Sequence, residues 1–381
     1  MPTEGLRRCG ALFAAGLLVG GLLAGCRGEA PPPPEEEPEE RVLLVLSERE
    51  EEVVGELLAA WSATTGFPIE VRYGEPGKLA AAVLDGESPD GPAVFLSRDA
   101  AALGALAAAG RALPLPADLV AAVNPLFVDA ERRWVGLTGR ARVVVHDPQR
   151  VARAVLPADL GGFGDPAHRG RFGLAPGSRS FRVHLAAWRA LHGGPALDRL
   201  LARWAENEPV LAADGIALVE AVVDGELDFA LVDHTDLWRV RAERGGGAGE
   251  EASGEASGGE ASGEPGGADA GIARAPGSAE GAGPGAAVPL PAADSSGYLD
   301  LAGAAVLVES PAALALLRHL LGPEAQSRLA AATSEYPLRR DLEPPLPLLP
   351  LADLDLAQVD YRAVAAALAE TEEAIADSLA R

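Results

Sequence analysis

The chain has 381 residues, a formal net charge of −24, 48% apolar residues and only 4% aromatics. That length suits one large domain or two lobes, and the apolar fraction is ample for a core. The acidity argues against nucleic acid or an anionic membrane surface as the main partner, because both need a basic face.

Arg7 and Arg8 open a positive segment, an apolar run follows from Ala11 to Ala24, and it closes on Leu23-Ala24-Gly25-Cys26. This pattern resembles a bacterial lipoprotein signal, with 1–25 removed and Cys26 carrying the lipid. A retained signal anchor stays open as the other reading. With Cys9 gone, Cys26 would be the sole cysteine, so a disulfide within the chain is not expected. Residues 26–40 follow as a tether rich in Pro and Glu. In extended form, at ~3.1 Å per residue, it would hold a folded body roughly 40 Å from the bilayer. Plain disorder serves the composition equally well.

Val42-Leu43-Leu44-Val45-Leu46 is a continuous apolar run suited to a parallel strand buried on both faces. A helix follows with apolar residues at Val53, Val54, Leu57, Leu58 and Trp61. Ser47 with Glu50 forms a predicted capping box, and Gly66 ends the helix. Strands are predicted at Pro68–Tyr73 and Ala93–Leu96, with helices at Leu79–Leu84 and Ala100–Ala109. The alternation implies a parallel sheet with right-handed crossovers. Trp134 to His146 reads as one long strand broken near Gly139, of the kind that passes between lobes. A strand at Arg171–Ala175 precedes a helical segment over 181–204. Residues 245–287, almost all Gly, Ala, Ser and Glu, read as a disordered acidic loop. Tyr298–Val308 reads as the second crossover. Helices are expected at Pro311–Leu321, near Ala325–Ala332, and at Tyr361–Leu379.

The stretch Val219-Glu220-Ala221-Val222-Val223-Asp224-Gly225-Glu226-Leu227-Asp228-Phe229-Ala230-Leu231-Val232-Asp233-His234-Thr235-Asp236-Leu237-Trp238-Arg239 ends a strand and opens a helix. An open α/β sheet presents ligand groups at such a place, although Asp233 or Thr235 could equally cap the helix. This stretch resembles the ferric-iron-binding proteins of bacterial ABC importers, type II solute-binding proteins whose matching run carries paired iron-binding tyrosines. Thr235 and Asp236 stand where those tyrosines would be. Further likeness comes from Ser47 to Glu52, Val71-Arg72-Tyr73-Gly74, Trp134 to Val143 and Glu335-Tyr336-Pro337-Leu338.

The resemblance implies a two-lobed α/β fold of the periplasmic-binding-protein kind, with parallel-rich sheets and a hinge of crossover strands. Lobe 1 would comprise 41–139 and about 298–335, lobe 2 140–240, and the C-terminal segment and helix 336–381. It also implies a monomeric extracytoplasmic lipoprotein, anchored to the membrane by its lipid, that serves an ABC permease and ATPase. The family's cargo is ferric iron with an accompanying anion. By position, Glu50, Arg98, Arg140, Ser178, Arg179, His234, Thr235 and Asp236 would line the ligand site, and Glu50 and Asp236 would be the candidate metal contacts.

Ferric iron is a hard cation that favours anionic oxygen ligands. A guanidinium ~4 Å from a cation costs on the order of 4 kcal/mol per unit charge at an effective dielectric near 20. Arg98 and Arg179, with no tyrosine pair, therefore suit an anion, an anionic chelate or a cleft closed by its own salt bridges. Each of these arginines, and Arg140 with Arg142, could instead serve structural ion pairs, and His234 a structural hydrogen bond. No Walker loop, Gly-x-Ser-x-Gly, His-Glu-x-x-His or Cys-x-x-Cys occurs, so no enzyme is expected. The competing reading is an envelope lipoprotein that kept the fold without transport and acts as a sensor or interaction partner.

Overall fold

The computed structural model describes residues 42–87, 89, 91, 93–246, 286–289, 297–345 and 348–379. The expected signal segment, Cys26, the tether and most of the acidic loop lie outside the described residues.

The apolar run after Val42 forms β1 (Leu43–Ser47), followed by α1 (Glu51–Thr65), β2 (Ile69–Tyr73), α2 (Lys78–Leu84), β3 (Ala93–Ser97) and α3 (Ala100–Ala108). β1 pairs in parallel with both β2 and β3, as strand–helix–strand crossovers require. A short α4 (Ala117–Val120) leads to β4, Val135–His146, every residue of which is buried. Then come β5 (Phe172–Leu174), α5 (Arg179–His192), α6 (Gly194–Glu206), β6 (Val210–Leu211), α7 (Gly215–Val223), β7 (Phe229–Asp233) and α8 (His234–Gly246). The chain resumes with β8 (Ala286–Pro289), β9 (Leu299–Val308), α9 (Pro311–Leu320), α10 (Pro323–Thr333), β10 (Tyr336–Pro337) and α11 (Tyr361–Leu379).

The strand order is β2-β1-β3-β9-β4-β7-β5-β6. Two half-sheets meet along β4. Its first part, Val135 to Ala141, pairs antiparallel with β9, and its second part, Arg142 to His146, pairs antiparallel with β7. The polypeptide thus changes sheets between Ala141 and Arg142. A cluster of Phe163, Phe172, Phe181, Trp204 and Phe229 fills one side of the second half-sheet. The first half-sheet is filled mainly by aliphatic residues such as Leu43, Leu58, Leu103 and Leu316.

Several expectations are corrected. There is no capping box: the helix begins at Glu51, Glu50 is the N-cap without a side-chain bond, and the Ser47 hydroxyl donates to Arg49 O at 2.8 Å. β4 is not broken at Gly139; its irregularity lies between Gly136 and Thr138, where the register against β9 shifts. The 181–204 segment is two helices, because Gly193-Gly194 interrupts the first and Pro195 suits the first turn of the second. The acidic loop ends earlier than its composition suggests, since Ala286 and Ala287 already pair with β4. β9 starts at the sheet change and lies wholly in the first half-sheet, while β8 pairs with the second part of β4.

The last helix spans both halves. α11 packs against α3 on one side and α5 and α6 on the other. At its start the backbones come into close approach: a Cβ at Gly104 would stand 2.1 Å from the Tyr361 carbonyl oxygen. Gly104→Ala must therefore push the helices apart. Overpacking of this kind costs about 1–3 kcal/mol, and denaturant unfolding should show that loss with the transition still cooperative.

Candidate ligand-binding cleft

The ends of β1, β3 and β7 and the middle of β4 gather a cluster of charge. Within β4, whose other members are mostly apolar, Arg140 and Arg142 are buried and need partners, because an unpaired buried charge is very costly. Arg140 Nη2 donates to Asp300 Oδ2 at 2.7 Å and to the Arg98 carbonyl at 2.8 Å. Its Nη1 donates to Glu335 Oε1 at 3.1 Å, and its Nε lies 3.9 Å from Asp233 Oδ2. Arg142 Nη2 lies 3.4 Å from the other Asp233 oxygen. Glu335 also accepts from Arg49 Nη1 at 2.8 Å and from the Thr138 hydroxyl.

The protonation states follow from these contacts. Burial opposes the Arg140 charge, yet Asp300, Glu335 and Asp233 hold its pKa above the ordinary value. Burial likewise opposes ionisation of Glu335, but Arg49 and Arg140 keep it well below the usual carboxylate range. Asp233 is held low against burial by Arg142 and Arg140. Burial pushes Asp300 up to about 6 against the opposing charge of Arg140.

The eight positions expected to line the site take different places. Arg98 pairs with Glu50 near the surface, with side chains 41% and 43% exposed. Burial, together with the charges of Arg140 and Arg49, lowers the Arg98 pKa. Arg179 pairs with Asp99 at 3.0 Å. Ser178 precedes α5 and shares a 3.0 Å hydrogen bond with the Ser180 hydroxyl. His234 is held on both ring nitrogens: Nδ1 accepts from Ala141 N at 3.0 Å, and Nε2 donates to Ser334 O at 2.8 Å. Burial lowers its pKa, so the neutral ring is a hydrogen-bonded brace at the sheet change. Thr235 is partly buried in the first turn of α8. The Asp236 carboxylate accepts from Asp233 N at 3.1 Å and lies over the first residue of α7, 2.0 Å from where a Cβ on Gly215 would stand. Burial, then the charge of Asp233, pushes Asp236 up to about 7.

Sequence reading missed Glu48, Arg49, Asp99, Asp300 and Glu335. One signal was available: Asp300 is a lone charge inside the apolar strand Leu299–Val308, and such a residue demands a buried partner. Arg49, Arg98, Arg140, Arg142 and Arg179 balance Glu50, Asp99, Asp233, Asp300 and Glu335 one for one. Glu48 and Asp236 are left over, and burial pushes both to about 7. A cavity of about 400 Å³ opens beside this cluster, lined by Glu48, Arg49, Glu50, Tyr73 and Arg98 among others. Among the described residues, no group of three or more His, Cys, Asp or Glu side chains is arranged to hold a metal ion.

The family described as bacterial extracellular solute-binding protein matches residues 43–332. The chain belongs to this family. The major ferric iron-binding protein of Neisseria meningitidis is 30% identical over 177 residues, which are 46% of this chain and 53% of that protein. The Fe(3+)-binding periplasmic protein of Serratia marcescens is 26% identical over 170 residues, 45% of this chain and 50% of its own. The chain thus spans about half the length of these curated relatives. Iron-bound HitA from Pseudomonas aeruginosa shares the fold with a TM-score of 0.68 at 22% identity, over 88% of this chain and 99% of that one. Trichodesmium IdiA (FutA), solved with iron and citrate, gives 0.69 at 17% identity over 89% and 100%. The type II solute-binding family suggested by the sequence is therefore the right one, and the two half-sheets are those of a two-lobed periplasmic-binding-protein fold.

Glu48 gives this solute-binding protein a testable pH dependence. Its folded pKa is raised, so the stability tied to its neutral form is complete below its ordinary value of 4.5 and is lost as pH rises through about 7. Glu48→Gln removes that loss. Denaturant unfolding should show the variant more stable than the parent at pH 8, by about 3 kcal/mol, with the difference fading towards pH 5.

Proposed function

We propose that this chain is the extracytoplasmic ligand receiver of an ABC importer, lipid-anchored through Cys26. We further propose that its cleft takes an anion or an anionic chelate of ferric iron in place of the bare ion. The observation that carries this reading is Arg98. It stands at the cavity, crowded by Arg49 and Arg140, with Glu50 as a near-surface partner that an incoming carboxylate can displace. Guanidinium and carboxylate form strong, directional paired hydrogen bonds.

The relatives named above are ferric iron-binding proteins, which supports iron as part of the cargo. The residues here support a different way of holding it. Phenolates are replaced by Thr235 and Asp236, and burial beside Asp233 opposes ionisation of the Asp236 carboxyl. Glu50, the other candidate contact, is already paired with Arg98. A chelate that brings its own oxygen ligands needs from the protein only charge complementarity at its rim.

In this reading β4 and its partners at Ala141/Arg142 form the hinge. Ligand touching both lobes shifts an existing open–closed balance. The closed form, a monomer, presents itself to a membrane permease whose ATPase drives transport. Among the described residues no helix is long and apolar enough to cross a membrane. A second reading, an envelope protein that senses or docks without transport, is favoured by one observation: Arg179 is already spent on Asp99.

Thermal unfolding of the full chain, run with citrate, ferric citrate, and ferric iron with carbonate, tests these readings. A ligand at 100 times its dissociation constant adds about 2.7 kcal/mol, a shift of a few degrees. The expected result is a shift with ferric citrate that Arg98→Gln abolishes, and none with iron plus carbonate. A shift with iron plus carbonate that survives Arg98→Gln and vanishes in Asp236→Ala would contradict the proposal. No shift with any of them would favour the second reading.

A further inference from the structure

Arg179 begins α5 on the second half-sheet, yet its guanidinium lies against the first. Its Nε donates to Asp99 Oδ2 at 3.0 Å, and Asp99 caps α3 directly after β3 by accepting from Ala102 N. The Asp99 side chain is 2% exposed, and the guanidinium from the second half is among the groups that pack on it. A Cβ at Gly77, at the head of α2, would stand 3.2 Å from the same guanidinium. Glu48, from the loop after β1, also feels its charge.

A third body joins in. Arg179 Nη1 lies 3.9 Å from Glu372 Oε1 on α11, which Arg182 also holds at 3.2 Å. α11 is fixed to the first half through Arg362, which reaches Asp129 at 3.0 Å and Glu131 at 2.8 Å. It is fixed to the second half through the Arg189–Glu370 pair. One side chain therefore links the loops of the first half, the helix of the second, and the helix that spans both.

We propose that Arg179 is a built-in latch: it binds Asp99 across the cleft in the manner of a ligand and holds the two halves closed in the empty protein. Closure of a two-lobed binding protein needs contacts to both lobes at once, and normally the ligand supplies them. Here a tethered cation supplies them first, so ligand must compete with an internal group and the empty protein is biased towards the closed form. The inference goes beyond the ligand reading above and stands whichever ligand that reading yields.

Hydrogen–deuterium exchange on the full chain without added ligand tests it, because local opening governs amide protection. Arg179→Ala should speed exchange about tenfold in the first-half segment 74–80, although the substitution is in the second half. Asp99→Asn keeps the helix cap and should speed exchange in the second-half segment 178–183. Millimolar guanidinium ion should restore protection in Arg179→Ala and leave Asp99→Asn unchanged. Effects confined to the half that carries the substitution, or exchange equal to wild type in both variants, would overturn the latch.

Discussion

The arrangement depends on one buried cation, Arg140. It sits on β4 beside the residue pair at which the strand changes sheets, and it gathers Asp300 from β9, Glu335 from the turn before β10 and the more distant Asp233 from β7. Those acids come from segments far apart in sequence and from both halves of the fold. Taking such charges out of water is expensive, and their attraction repays the cost only with good geometry and full hydrogen bonding. Removing the cation alone would leave carboxylates buried against one another. The cluster therefore ties β4 to β7, β9 and the turn before β10 at one point.

The same cluster sets which charges are paired around the cavity. Arg49, Arg140 and Arg142 are committed to Glu335, Asp300 and Asp233, and Arg179 is committed to Asp99. Arg98, whose carbonyl is itself tied to Arg140, keeps a partner that solvent already reaches. Arg98 thus stands at the cavity mouth beside Glu48, Glu50 and Glu75, while the arginines further in are paired with buried acids. Glu48 and Asp236, the carboxyls without an arginine of their own, are the ones that burial drives towards neutrality.

Much of the fold was legible in sequence because it rests on local patterns. Continuous apolar runs marked β1 and β3, helical spacing marked α1 and α11, and the alternation of the two gave the parallel order. What failed was decided by less local forces. The Ser47 hydroxyl turned to the backbone of Arg49 instead of capping α1, because the charged loop after β1 is pulled into the buried cluster. The segment 181–204 broke at Gly193-Gly194, where helical spacing of the apolar residues says nothing about the backbone between them.

The charged residues of the candidate site were only partly legible. Alignment to family motifs marked Arg98, Arg140, Arg179 and His234, all of which the structure places around the sheet change. Their partners Asp99, Asp300 and Glu335 come from separate segments and can be paired only in three dimensions. The most direct test of this account is denaturant unfolding of Arg140→Met beside the same change combined with Asp300→Asn and Glu335→Gln. If Arg140 neutralises that cluster, the single variant should lose about 3–5 kcal/mol and the combined variant should recover much of it. Parent-like stability of Arg140→Met, or no recovery on neutralising the acids, would contradict the claim that this cation organises the cleft.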